Sequence, residues 1–130
     1  MSNARKILIV DDEPDILEFL SYNFRKNGFT VVLAKDGAEG ISKAEAELPG
    51  IIVSDILMPV MDGIEMCIRI RKNESLKSTP FIFLTAVSND YKILHAMTSG
   101  ANQFASKPVK FEYLLTLVNE LLEGLEHKIS

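Results

Sequence analysis

The chain lacks a second cysteine. Cys67 is the only one in 130 residues, so no intramolecular disulfide can form, and a reducing, cytosolic setting is expected. No apolar run approaches the ~18 residues of a membrane-spanning helix. The N-terminus has no apolar stretch of signal-peptide type; Lys6 to Val10 reads as a strand, and acidic residues follow it. Basic charge is also short. With 14 Lys+Arg against 18 Asp+Glu the formal net charge is -4, which speaks against sequence-independent nucleic-acid binding. Neither a G-x-G-x-x-G nor a G-K-[ST] loop occurs, which argues against a nucleotide-binding module. Repeats, low-complexity segments and linkers are missing too. What is present suits one globular domain with a single sizeable core: 47% hydrophobic and 25% charged residues.

The central stretch is Ile51-Ile52-Val53-Ser54-Asp55-Ile56-Leu57-Met58-Pro59. It is short, rich in Ile and Val, and stopped by proline, so it reads as a buried strand of a parallel sheet. A carboxylate at such a place is costly unless something pairs with it. The flanking pattern supplies four more strands, at 6–10, 29–34, 80–85 and 103–106. Helices are expected from Pro14 to Asn27-Gly28, Ala38 to Leu48, Ile64 to Arg71, Ser88 or Asn89 to Ser99, and Phe111 to about Glu126. Strands alternating with helices give an α/β fold, a five-stranded parallel sheet with five helices on both faces. In such sheets ligands bind at the carboxyl ends of the strands, near the switch in strand order.

The unusual polar residues fall at that edge. Asp11 and Asp12 follow the first strand, Asp55 ends the third, Thr85 the fourth and Lys107 the fifth. Three converging carboxylates repel one another, and a hard divalent cation relieves them; oxygen ligands beside phosphate suit Mg²⁺. Lys107 offers a compact positive charge and Thr85 a hydroxyl hydrogen bond. A carboxylate nucleophile that forms an aspartyl phosphate is a known covalent strategy, and its transfer step needs mainly positioning and charge neutralisation.

With these residues in view, the chain resembles the receiver domain of two-component response regulators, the chemotaxis-regulator-like kind. The resemblance runs from Ile7 to Leu122. It rests on Val10-Asp11-Asp12-Glu13, Asp55 with Met58-Pro59-Val60-Met61-Asp62-Gly63, Leu84-Thr85-Ala86, and Lys107-Pro108. It implies strand order 2-1-3-4-5 in a flavodoxin-like three-layer sandwich. By resemblance, Asp55 is the phosphoacceptor, with a histidine kinase or phosphotransfer protein as donor. Asp12, Asp55 and the backbone carbonyl of Leu57 are then Mg²⁺ ligands, with Asp11 acting through water. The Lys107-Pro108 bond is implied to be cis, where such a bond costs least. Thr85 and Phe104 are the implied switch pair, and the fourth helix, fifth strand and fifth helix the output face toward an effector.

Departures from the family pattern narrow the reading. Asn102 and Gln103 stand where acidic residues are common, and the fifth helix has no Arg, so a dimer through charged pairs on that face is not expected. Phe104 has no hydroxyl for a partner. Leu57 and Val87 follow Asp55 and Thr85 by two residues and cannot hydrogen-bond an attacking water, so slow self-dephosphorylation is expected. Leu57 also stands where a haloacid-dehalogenase-type Mg²⁺ phosphatase would need its acid/base Asp. A receiver-like module that is never phosphorylated is the other alternative; the complete acidic set speaks against it. His95 and His127 lack metal-ligand spacing and read as surface or helix-end residues. Met58, Met61, Met66, Met97 and Cys67 read as packing residues. Residues 1–5 are set aside as a disordered N-terminus or cloning remnant, 6–127 form the receiver, and 128–130 a tail. No effector domain is expected within these 130 residues, so a stand-alone receiver and one excised from a longer regulator or hybrid kinase both fit.

Overall fold

A computed structural model of the protein describes residues 4–86 and 90–129, with side chains described except at 90 and 125–129. The elements alternate throughout: β1 (Lys6–Val10), α1 (Pro14–Lys26), β2 (Thr30–Ala34), α2 (Gly37–Glu47), β3 (Ile51–Ser54), α3 (Gly63–Lys72), β4 (Phe81–Thr85), α4 (Asp90–Thr98), β5 (Gln103–Ser106) and α5 (Phe111–Ile129). The sheet is parallel, in the order β2-β1-β3-β4-β5. The order reverses between β1 and β3, and this is where a crevice opens in such sheets.

Period-two alternation along the strands sorts apolar residues into two layers. Ile7, Ile9, Val31, Ile51, Val53, Ile82 and Leu84 pack with Leu20 and Phe24 of α1 and Leu114 and Val118 of α5. Leu8, Val10, Ile52, Phe81 and Phe83 face the other way, against Ala44 of α2, Ile64, Met66 and Ile70 of α3, and Ala96 of α4. Phe24 anchors the first layer, with edge-to-face contacts to Phe29 and Phe111 at 5.2 and 4.9 Å between ring centroids. β1, β3 and β4 read as apolar runs because both faces are covered.

Element ends differ from the sequence pattern for local reasons. Pro80 has no N–H for the ladder, so β4 begins at Phe81, while the Pro80 carbonyl accepts the Ile52 N–H at 2.9 Å. α2 and α3 begin one residue early because Asp36 and Asp62 cap them, accepting the N–H groups of Glu39 at 2.8 Å and Glu65 at 2.9 Å. β3 stops at Ser54, which leaves Asp55 just past the strand. α5 extends to Ile129 rather than ending near Glu126. The expected cap at Ser88 or Asn89, Val87, and the side chain of His127 lie outside the described residues.

Candidate phosphoryl-acceptor site

Four of the five strands, β1, β3, β4 and β5, lead into polar side chains at the carboxyl edge. The Asp11 N–H still bonds to Ala34 O at 3.1 Å, so Asp11 continues the β1 ladder with its carboxylate buried. One of its oxygens accepts the Glu13 N–H at 2.9 Å, turning the chain into α1, where Pro14 takes the first position. Across the sheet, Asp55 N–H bonds to Val10 O at 2.9 Å. Its Oδ1 accepts the Ile56 N–H at 2.6 Å, which fixes the carboxylate and leaves Oδ2 facing Lys107. Gly63 is required behind it: its N–H meets Ile56 O at 2.8 Å, and a Cβ there would collide with the Asp55 carbonyl oxygen. In the same loop Val60 takes φ 69°, a left-handed conformation that is costly for a β-branched residue.

Lys107 enters from beyond β5. Its N–H bonds to Thr85 O at 2.9 Å, and the Lys107–Pro108 peptide is cis. Its ammonium meets three carboxylates: Asp11 at 2.8 Å, Asp55 at 2.9 Å and Glu13 at 3.0 Å. Burial alone pulls the lysine pKa down. The hydrogen bonds to the three carboxylates outweigh it and hold Lys107 well above its ordinary value. Burial pushes the Asp11 carboxyl up, and its bonds to Lys107 and the Glu13 N–H offset only part of that.

Asp12, Glu13, Asp55, Leu57, Thr85, Ala86 and Lys107 line one cleft of about 300 Å³. Thr85 is buried and Leu57 is half exposed. The carboxylates of Asp11, Asp12, Glu13 and Asp55 come within 4.8 Å of one another. An all-oxygen donor set of this kind fits a hard divalent cation, and the Lys107 ammonium already sits among three of the four as a cation does. Phe104 lies outside the cleft. It pairs in register with Phe83, is partly buried against the second apolar layer, and lines a neighbouring hollow with Pro108, Lys110 and Tyr113. The four carboxylates, Thr85 and Lys107 are thus brought together, and Phe104 lies two register positions behind Thr85, which pairs with Ser106. Sequence reasoning gave Glu13 no part in the site beyond its place in the acidic run. Its signal was that run itself, which puts a third carboxylate two residues after Asp11.

A larger groove, about 1060 Å³, runs along α1 beside Leu33 of β2 and includes none of Asp11, Asp12, Asp55, Thr85 and Lys107. The acidic cleft is the better candidate because the charged groups converge there. Among the described residues no helix is long and apolar enough to cross a membrane.

A five-stranded parallel α/β sandwich with acidic, hydroxyl and lysine side chains meeting at its switch point defines a signalling receiver. Residues 7–119 match the response regulator receiver domain family, and the chain belongs to that family. Over 104 residues it is 38% identical to the alkaline phosphatase synthesis transcriptional regulatory protein PhoP of Bacillus subtilis, matching 80% of this chain and 42% of that protein. The chain therefore spans less than half the length of that relative. The signal receiver domain of a signal transduction histidine kinase from Syntrophus aciditrophicus is 33% identical, with a TM-score of 0.86 over 92% of this chain and 90% of that one. The receiver domain of sensor histidine kinase PA1611 from Pseudomonas aeruginosa, whose structure has a magnesium ion coordinated in the active-site cleft, is 28% identical. Its TM-score is 0.86 over 92% of this chain and 98% of that one.

Proposed function

We propose that Asp55 accepts a phosphoryl group from a phosphohistidine on a kinase or phosphotransfer protein. The observation that carries this is the Asp55 carboxylate, fixed by Ile56 N–H and paired at 2.9 Å with Lys107 in a cleft that also holds Asp12 and Thr85. A carboxylate oxygen attacks phosphorus as the donor P–N bond breaks. The electron pair stays on the imidazole nitrogen. Lys107 neutralises charge on the transferred group, and the Thr85 hydroxyl turns toward it. Asp12, Asp55 and the Leu57 carbonyl would hold Mg²⁺, with Asp11 acting through water; when bound, the ion neutralises the acidic cluster and the phosphoryl oxygens.

The signal then passes through Thr85 and Phe104 to the face of α4, β5 and α5, where an effector protein or a linked effector domain reads it. A full reversal of population from 1:99 to 99:1 would take about 5.5 kcal/mol, so one hydroxyl bond and one ion pair give a graded shift unless a partner adds to it. Leu57, half exposed at the cleft, offers no hydrogen bond to an attacking water, which supports slow self-dephosphorylation. On this reading residues 6–127 act as a cytoplasmic receiver.

Acetyl phosphate with Mg²⁺ tests the proposal. The expected result is one phosphoryl group per chain by intact mass, lost in Asp55→Asn and persisting well beyond seconds. Failure to label, or steady turnover of a phosphate ester as a phosphatase would give, would overturn it.

A further inference from the structure

Glu13 is oddly used. It is the N-cap residue of α1, yet its side chain makes no capping hydrogen bond. Short side chains serve that position best because they reach the first free N–H groups. Here the longer carboxylate reaches across the cleft instead and accepts from Lys107 at 3.0 Å, linking residues 94 apart in sequence. An ammonium has three hydrogens to donate. Lys107 gives one each to Asp11, Asp55 and Glu13, so its donors are fully committed.

The three acceptors are unequal. The Asp11 and Asp55 side chains are 2% and 8% exposed, whereas that of Glu13 is 59% exposed. Water can replace Lys107 as a partner for Glu13 at little cost, but not for Asp11. Glu13 also lines the cleft that a phosphoryl group on Asp55 would enter. A phosphoryl dianion and the Glu13 carboxylate cannot share the ammonium without repulsion.

The geometry points to Glu13 as a displaceable counter-charge: it holds the outward donor of Lys107 while the site is empty and yields it when a phosphoryl group arrives. Glu13 is thus a positioning residue that keeps Lys107 over the cleft and weakens the site's grip on phosphoryl groups. This inference rests on Asp55 being the acceptor.

The test is a titration of the full chain with beryllofluoride in the presence of Mg²⁺, following the Thr85 amide and the Lys107 ¹⁵Nζ signals by NMR. Glu13→Gln and Glu13→Ala are expected to bind about two- to fivefold more tightly than wild type, the range of a half-exposed ion pair. The Lys107 signal should differ between wild type and Glu13→Gln when the site is empty, and converge once beryllofluoride is bound. Asp15→Asn removes a like charge from the first turn of α1 and should change the affinity less than about twofold, since exposed charges at a distance are screened. Equal or weaker binding by the Glu13 variants overturns the displaceable role, as does an equal gain in Asp15→Asn. If wild type does not bind at all while Asp55→Asn behaves identically, the acceptor reading falls and this inference falls with it.

Discussion

Lys107 and Arg71 are both drawn into the fold, at opposite edges of the sheet. At the carboxyl edge, Lys107 is surrounded by anions and its pKa is lifted well above the ordinary value. At the amino edge, Arg71 leaves the end of α3 and donates to neutral oxygens. Its Nε meets Gly100 O at 2.9 Å, its Nη1 meets Thr79 O at 2.7 Å, and its Nη2 meets Asn102 Oδ1 at 3.0 Å. Burial pushes its pKa down, though far from deprotonation. The same Asn102 oxygen accepts the Phe81 N–H at 2.8 Å, so α3, the end of α4 and the starts of β4 and β5 meet at one guanidinium. The contrast separates two uses of a buried cation. Fixed dipoles hold a joint that has no reason to change when charge arrives. Charged carboxylates, of which Glu13 alone is largely exposed, hold the other cation at the edge where charge would arrive.

The comparison can be broken at several points. The largest effect should come from Lys107→Met, which leaves the buried Asp11 and Asp55 carboxylates facing each other. Without divalent cations it should lose about 2–4 kcal/mol in urea denaturation, toward the range for breaking a buried pair, and Mg²⁺ should restore much of this. A loss that Mg²⁺ does not reduce would mean that the cluster is not a cation site. Next is Arg71→Met, expected to cost about 1.5–3 kcal/mol by stranding carbonyls that now receive charged donors. This loss should be the same at low and high salt, and Arg71→Lys should recover less than half of it because an ammonium cannot reproduce the fork. A loss that changes between low and high salt would erase the distinction.

A smaller effect lies in pH. The folded pKa of Lys107 is raised, so its stabilisation is present in full below the ordinary lysine value of about 10.4 and is lost only as pH rises through the higher folded value. The Lys107 ¹⁵Nζ signal should therefore stay that of an ammonium at pH 10, where exposed lysines already titrate; titration there with the others would contradict the triple pairing. The smallest effect calibrates both sites. Ser21 on α1 is buried, and its hydroxyl has no hydrogen-bond partner among the described residues. Ser21→Ala removes that cost and improves helix propensity, and should raise stability by up to about 1 kcal/mol by thermal unfolding.

The charged edge was legible in the sequence and the neutral joint was not. Asp11, Asp12, Asp55 and Thr85 stand at the ends of apolar runs, where a polar residue must be explained, and Lys107 follows the fifth strand directly before Pro108. Arg71 is one of three basic residues in the last turn of α3 (with Arg69 and Lys72), an ordinary ending for a helix. Its role depends on the path of the chain at Gly100, which has φ 118° and whose Cβ, if present, would lie 2.7 Å from Arg71 Cγ. Asn102 was noticed only as a missing acid; its hydrogen bonds to Arg71 and Phe81 explain why an amide serves there. The helix starts had a readable sign that the pattern of apolar residues did not show. Asp36-Gly37-Ala38-Glu39 and Asp62-Gly63-Ile64-Glu65 repeat the same acid-capped tetrad. The reach of Glu13 to Lys107 depends on side-chain direction across the crevice, which spacing alone does not encode.

Cys67 lies in α3 on the side that faces Ser99, fully buried, with its sulfur 3.8 Å from Ser99 O and burial pushing its thiol pKa up. Because it is the only sulfhydryl in the chain, the rate at which a thiol reagent finds it acts as a stopwatch. In the closed fold the reagent waits, and each modification records one opening of the seam between α3 and the end of α4. That seam is the one Arg71 fastens, so a fast clock in Arg71→Met beside an unhurried one in Lys107→Met would time the two cations separately, without any signal having to pass through the domain.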